Sequence, residues 1–322
     1  MRVSIIIPNY NGEKFMKDCL ESLKKQTYDD FDVILVDNAS SDNSIAVAEE
    51  IYPDIKVIRL DNNYGFSRAV NEGIKATYAK YVILLNNDTE SDPYFVEKLV
   101  EGIEKSPKIF SCASKMIQFN NRELIDSAGD YYTIIGCTFT RGYNKKTQIF
   151  NKDVLIFSSC AGAAIYRRKV FEKIGYFDEL HFAYLEDVDV AYRAKINGYV
   201  NKYIADAVVY HVGSGSSGSR HNEFKVRLAA RNNVYLNYKN MPIVQLVINY
   251  PFILAGKIMK LVFMWRKGLA KVYVKGVVEG YKTLGKCKKV RYKKENITNY
   301  LRIEFELLAN LFVKIGDCID KR

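Results

Sequence analysis

The chain has 322 residues, 48% of them hydrophobic and 26% charged, a balance ordinary for a folded soluble protein of one large domain with an appendage, or of two domains. No run of eighteen uncharged apolar residues marks a membrane span, and "MRVSIIIP" goes straight into a strand with no visible signal peptide. The net charge of +11 lies wholly in the last quarter: 18 Lys/Arg against 6 Asp/Glu from Lys239 to Arg322, a net of +12, and 30 against 31 before it, a net of −1.

The first 110 residues alternate strand and helix signals. "VSIIIP" reads as a buried strand, "GEKFMKDCLESLKKQT" as a helix with Phe15, Met16, Cys19, Leu20 and Leu23 on one face, and "DVILVD" as a second strand. "SSDNSIAVAEEIY" opens a helix on Ser and Asp, "KVIRL" is a third strand, "FSRAVNEGIKAT" a helix and "YVILL" a fourth strand. Continuous apolar strands separated by helices predict an α/β fold with a mostly parallel sheet and helices on both faces. After the helix "DPYFVEKLVEGI" the pattern becomes mixed, with shorter strands and a loop or hairpin around "GDYYTIIGCTFTRGYNKK". Two helices follow, "RRKVFEKIG" and "EDVDVAYRAKINGY", each closed by glycine, and then a strand, "VNKYIADAVVYH", that enters the loop "GSGSSGS". The six cysteines show neither CxxC nor zinc spacing, which predicts reduced, mostly buried thiols in a cytosolic protein.

Ligands of such sheets bind at the carboxyl ends of the strands. Three polar clusters converge there: Pro8, Asn9, Tyr10 and Asn11 after the first strand, Asp37 and Asn38 after the second, and Asn86, Asn87 and Asp88 after "YVILL". Each has an ordinary reading beside a functional one. Asp88 is either a turn residue or a carboxylate for a divalent cation. The acids of "EDVDVAYR" compensate a helix dipole, with Asp189 and Arg193 as an i,i+4 pair, or carry chemistry, and the two readings are compatible.

"SIIIPNYNG", "ILVDNASSDNS", "DNNYGFSRAVNEGI", "YVILLNNDTE" and "YLEDVDVAYRAKINGY", in that order, resemble the family 2 glycosyltransferases, enzymes of the GT-A type nucleotide-sugar-binding fold, and within them bacterial rhamnosyltransferase-like enzymes. The resemblance covers about residues 1–235. It implies a pocket for base and ribose from Pro8, Tyr10, Asn11 and Asp37, and a second wall from Asn63, Gly65, Phe66 and Asn71. It aligns Asn86, Asn87 and Asp88 with a metal-binding Asp-x-Asp whose first Asp is Asn86 here, so that Asn87 lies at the donor and Asp88 is the one carboxylate of the motif. His211, 24 residues after Asp187, falls where related enzymes carry a metal-binding histidine, and the cation implied is Mn²⁺ or Mg²⁺. The family's catalytic base matches Asp187, with Glu186 beside it as an acceptor-binding or orienting group. Next to a bound diphosphate, the amides and hydroxyls of "GSGSSGS" would cradle phosphate oxygens.

From Lys257 to Lys286, at about 100° per residue, eight of nine charged residues fall in an arc of roughly 120°, and Phe263, Trp265, Leu269 and Tyr273 lie outside it. That is the pattern of a basic helix in a membrane interface, or of a solvated face on a helix packed against the main domain; Gly268, Gly276, Gly280 and Gly285 weaken any single long helix. "MPIVQLVINYPFILAG" reads as long enough to dip into a bilayer and short for crossing it. The expected organisation is a GT-A domain over residues 1–238 and a basic, amphipathic, helical, membrane-associating region over 239–322.

The expected activity is non-processive, inverting transfer, including rhamnosyl transfer, from a dTDP- or UDP-sugar to a glycan or lipid-linked acceptor. The enzyme would work peripherally at the cytoplasmic face of the cell membrane, in cell-surface polysaccharide synthesis. The alternatives are a non-catalytic nucleotide-sugar-binding subunit of a membrane assembly and a basic nucleic-acid-associated protein. No nucleic-acid-binding motif accompanies the charge, so no nucleic-acid partner is expected.

Overall fold

The computed structural model describes residues 1–213 and 222–319; of "GSGSSGS", Gly213 alone is among them, so the expected phosphate cradle lies outside the described residues. In chain order the elements are β1 (Val3–Asn9), α1 (Glu13–Leu23), β2 (Phe31–Asp37), α2 (Ser44–Ile51), β3 (Lys56–Arg59), α3 (Gly65–Lys75), β4 (Tyr81–Leu85), β5 (Thr89–Ser91) and α4 (Phe95–Glu104). There follow β6 (Ile109–Gln118), β7 (Asn121–Ser127), β8 (Asp130–Tyr132), β9 (Thr138–Thr140), β10 (Val154–Ile156), β11 (Ala163–Arg167), α5 (Arg168–Ile174), α6 (Glu186–Ile196) and β12 (Val200–His211). Four helices close the chain: α7 (Glu223–Asn240), α8 (Ile243–Arg266), α9 (Ala270–Lys282) and α10 (Ile297–Ile319).

One ten-stranded sheet runs β10-β12-β6-β11-β4-β1-β2-β3, with β5 added beside β12 and β7 beside β6, and β8 and β9 form a separate hairpin. The run β3-β2-β1-β4 is parallel, whereas β11 is antiparallel to both β4 and β6, which makes the whole sheet mixed. Side chains of successive strand residues leave on opposite faces. Ile5 and Ile7 therefore pack with Met16, Leu20 and Leu99 of α1 and α4, while Ile6 packs with Val70, Phe171 and Val190 of α3, α5 and α6. Two covered faces explain why β1, β2 and β4 are apolar throughout. This is the GT-A type α/β architecture, with a helical C-terminal segment from α7 to α10.

That segment shares a core with the sheet domain. Val188, Tyr192 and Ile196 of α6 cluster with Leu236 of α7, Ile253 of α8, and Tyr300, Ile303 and Leu307 of α10. Lys239 and Asn240 reach from the end of α7 to Asp189, which Arg193 also pairs with, so the i,i+4 pair is part of a fully buried network. Arg193 in turn donates to the carbonyls of Ile174, Gly175 and Tyr176, hydrogen bonds that offset the cost of burying these charges.

The basic stripe is carried by two helices. After Arg266 the amide of Leu269 donates to the Met264 carbonyl and that of Gly268 to the Trp265 carbonyl, with Gly268 at φ 72°, a reversal that ends α8. Gly276 and Gly280 then let α9 lie directly on α7: a Cβ at Gly276 would sit 2.4 Å from the Arg227 carbonyl oxygen. α8 is one continuous helix of 24 residues through Pro251, long and apolar enough by length and composition to cross a membrane, and longer than the apolar stretch marked in the sequence, which ended at Gly256.

Candidate active site

A cleft of about 1420 Å³ opens along the carboxyl edge of the parallel strands. Pro8, Tyr10, Asn63, Gly65, Phe66, Asn87, Asp88, Glu186, Asp187 and His211 all line it. Three of the expected donor-pocket residues do not. Asp37 is buried and accepts from Asn9 Nδ2 at 2.8 Å and from the amide of Ser40 at 2.9 Å. Asn11, at φ 51°, ties the β1 loop to the β2 loop by accepting from the Ser41 amide. Asn71 exchanges two hydrogen bonds with the backbone of Phe177, and so holds the chain that leads into α6.

The polar end of β4 answers to specific partners. Asn87 donates to Asn9 Oδ1 at 2.8 Å and Asn9 to Asp37, one buried chain linking all three strand ends. Gly12 makes room for it, because a Cβ there would fall 2.0 Å from Asn87 Nδ2. The Asn86 amide donates to the Gly162 carbonyl, anchoring the β4 exit to the start of β11.

Asp88 lies beside His211 because β12 runs antiparallel to β5 with His211 opposite Thr89. His211 Nε2 is 3.3 Å from Asp88 Oδ1, and Nδ1 is 2.7 Å from Asp126 Oδ2 on β7. Burial opposes the charged imidazole, but the hydrogen bonds and charges of Asp126 and Asp88 outweigh it and hold His211 up at about 10. For a divalent cation to bind here the ion must displace the His211 proton; Asp88 and the neutral ring then make a donor set that fits it. Ligand atoms at about 2.1 Å from one ion and at right angles lie about 3 Å apart, close to the observed separation, and a carboxylate on the far ring nitrogen fixes the imidazole for such a role. Asp126 has no counterpart among the residues singled out in the sequence; an acid on an edge strand gives no local signal that separates it from surface acids.

Asp187 opens α6 behind a strained turn. Phe182, Tyr184 and Leu185 have φ of 62°, 71° and 68°, conformations that cost non-glycine residues about 1–2 kcal/mol each. Asn232 of α7, fully buried, pins this turn by donating to the carbonyls of His181, Ala183 and Tyr184 at 2.8–2.9 Å. Gly65, at φ 84°, closes it from the donor wall, since a Cβ there would lie 2.5 Å from the Phe182 carbonyl oxygen. Asn232, too, has no signal in the sequence, since its partners are backbone atoms.

The Asp187 carboxylate accepts from the amide of Val188 at 2.7 Å. Burial outweighs these backbone donors and raises it to about 6, where a helix N-terminus alone would keep it low. Burial, then the charge of Asp187, pushes Glu186 up to about 8, so it is protonated at neutral pH, and its Oε2 has no hydrogen-bond partner among the described residues. Donor atoms of Asp130, Cys160 and Asp187 lie within 4.8 Å of one another. Burial, with Asp187 beside it, holds Asp130 well above the usual carboxylate range, and burial does the same to the Cys160 thiol. These three groups form a proton-holding cluster in which Asp187 ionises first. The arrangement places an ionisable carboxylate, Asp187, in the cleft, where it can take a proton from a hydroxyl.

The chain matches the family described as glycosyl transferase family 2 over residues 4–175. It is 26% identical to an uncharacterized glycosyltransferase, YwdF, of Bacillus subtilis, over 73% of this chain and 85% of that one. It is 24% identical to N-acetylglucosaminyl-diphospho-decaprenol L-rhamnosyltransferase of Mycobacterium tuberculosis, over 66% of this chain and 77% of that protein. Poly-beta-1,6-N-acetyl-D-glucosamine synthase of Staphylococcus epidermidis, 25% identical over 62% of this chain, is longer, and the chain spans 47% of it. Two solved structures share the fold: S. aureus TarS 1–349 with UDP-GlcNAc (TM-score 0.55, 18% identity, 91% of this chain and 94% of that one) and a Pyrobaculum calidifontis mannosyltransferase with GDP-Man and Mn²⁺ (TM-score 0.53, 14% identity, 98% and 87%).

Proposed function

The chain belongs to glycosyl transferase family 2, and on that premise we propose that it is an inverting, non-processive glycosyltransferase that moves a sugar from a nucleotide-sugar donor to a hydroxyl of a glycan or lipid-linked acceptor in cell-surface polysaccharide synthesis. The observation that carries this reading is that Asp187, raised to about 6 yet ionised at neutral pH, lines the same cleft as the Asp88–His211 pair. Asp187 accepts the proton of the acceptor hydroxyl as its oxygen attacks the anomeric carbon. The bond to the diphosphate breaks in line, its electron pair leaves with the diphosphate, and the configuration inverts. Protonated Glu186 donates to an acceptor oxygen and orients it. Asp88, with His211 once its ring has lost its proton, would hold a divalent cation, Mn²⁺ or Mg²⁺, which would supply charge compensation for the leaving diphosphate.

Pro8, Tyr10, Asn63, Gly65, Phe66 and Asn87 contact the nucleotide sugar, a dTDP- or UDP-sugar; Asp37, Asn11 and Asn71 shape that pocket from behind. Rhamnosyl transfer is the specific form supported by the mycobacterial relative. The test is a panel of nucleotide sugars with Mn²⁺: one donor should raise the melting temperature and be consumed in the presence of acceptor. Stabilisation by a donor that is never turned over with any glycan or lipid-linked acceptor would instead favour a binding subunit.

We further propose that the enzyme sits peripherally on the anionic cytoplasmic membrane face. Ile248, Trp265 and Phe305 of α8 and α10 are exposed apolar side chains within the segment of net charge +12. The full-length protein should co-sediment with phosphatidylglycerol-containing vesicles, much less with phosphatidylcholine, and be released by high salt. An Ile248→Asp/Trp265→Asp variant that sediments as well as the wild type would overturn this attachment. Point variants replace truncation here because α8 and α10 share a core with α6.

A further inference from the structure

The cleft that holds Asp187 is also lined by the basic segment. α8 reaches it with Gly256, Lys257, Lys260 and Met264, and α9 with Tyr273. α8 comes this close because position 256 has no side chain: a Cβ would sit 2.0 Å from the carbonyl oxygen of Ile135, in the turn between β8 and β9. Lys257 and Lys260, three residues apart on a helix, then share one face.

Charge in this cleft is sorted by element. Asp88, Asp126, Asp130, Glu186 and Asp187 come from the sheet edge, β7, β8 and the start of α6, whereas the described lysines lining it come from α7 (Lys225) and α8 (Lys257 and Lys260). Lys257 donates to the hydroxyl of Tyr281 at 2.5 Å, a neutral partner that leaves its charge uncompensated. Beyond these lysines the outer side of α8 is apolar and exposed at Leu254, Ile258 and Met259. Two lysines on one face of a cleft-lining helix, bordered by apolar surface, match a ligand with an anionic group between a sugar and a hydrocarbon tail.

We propose that Lys257 and Lys260 bind the phosphate or diphosphate of a lipid-carried acceptor, and so make α8 the acceptor half of the active site as well as a surface helix. This rests on the transferase reading and names the substrate class of its acceptor. The sugar hydroxyl lies toward Asp187 and the hydrocarbon leaves along α8.

The probe is geranyl diphosphate, titrated into the full-length protein in chelator, so that cation-dependent binding at the donor end is suppressed. The wild type should bind it, inorganic pyrophosphate should bind more weakly, and Lys257→Gln/Lys260→Gln should lose at least about tenfold in affinity. Lys257→Arg/Lys260→Arg, which keeps both charges, should bind within a few-fold of the wild type. In parallel, the nucleotide-sugar stabilisation in Mn²⁺ should be the same in all three proteins; its absence from the wild type would count against the transferase reading, not against this site. Equal affinity of the wild type and the Gln variant would overturn the lysine site. Pyrophosphate binding as tightly as geranyl diphosphate would overturn the lipid tail.

Discussion

Asp187→Asn is expected to lower turnover by about 10²–10⁴-fold, the range that general-base catalysis contributes, while the donor dissociation constant stays within a few-fold. The substitution is nearly isosteric and keeps an oxygen for the Val188 amide, so the N-terminus of α6 and the turn behind it should not move. What is lost is a group that can hold a proton. Because burial raises Asp187 to about 6, wild-type activity should fall as pH drops through about 6, where the carboxylate protonates, and be level above it until other groups titrate. Steady-state rates from pH 5 to 8, with donor affinity measured separately, check both points. A variant that keeps a tenth of wild-type turnover would remove Asp187 from the role of base.

The second large effect is expected at the opposite end of the reaction. Asp88→Ala should weaken nucleoside-diphosphate binding by more than about tenfold in Mn²⁺ or Mg²⁺ and change it little in chelator, because the carboxylate is proposed to act through the cation. His211 would remain, still held by Asp126, and a single imidazole that must first give up its proton is a poor site for a hard cation. The departure at Asn86 sharpens this expectation: its side chain is a neutral carboxamide, so no second carboxylate of that motif is available to take over. Calorimetric titration with each cation and with chelator measures it. Identical affinities for wild type and variant in all conditions would leave Asp88 as the turn residue it resembles locally.

Much of this site was legible before the fold was known, and the rest was not for identifiable reasons. Asp88, His211 and Asp187 sit at ends of elements that periodicity marks, in motifs with a specific order, and the cleft gathers all three. Asn71 and Asp37 lie in the same motifs, but a motif gives a position along the chain, not the direction of a side chain, and theirs are taken up inside the protein. Asp126 and Asp130 come from the 110–166 stretch, where strands pair out of sequence order, so that nothing local announced an acid beside His211 or beside Asp187.

By itself the sequence determined the burial pattern of the first four strands and their helices, the three polar strand ends, the acids that open α6 and the concentration of positive charge after residue 238. All of these are local: a strand buried on both faces must be apolar throughout, and a charge count needs no coordinates. Only the tertiary structure decided that β11 runs against its neighbours, that β12 sets His211 beside Asp88, and that α7 pins the turn before Asp187. It also decided that the basic segment is broken at Gly268, shares a core with α6 and lines the cleft with Lys257 and Lys260. The physical reason is the same in each case. Hydrophobic period reports how deeply a residue is buried, whereas strand direction, register and the packing of one helix on another depend on contacts between residues far apart in the chain, which no local pattern encodes.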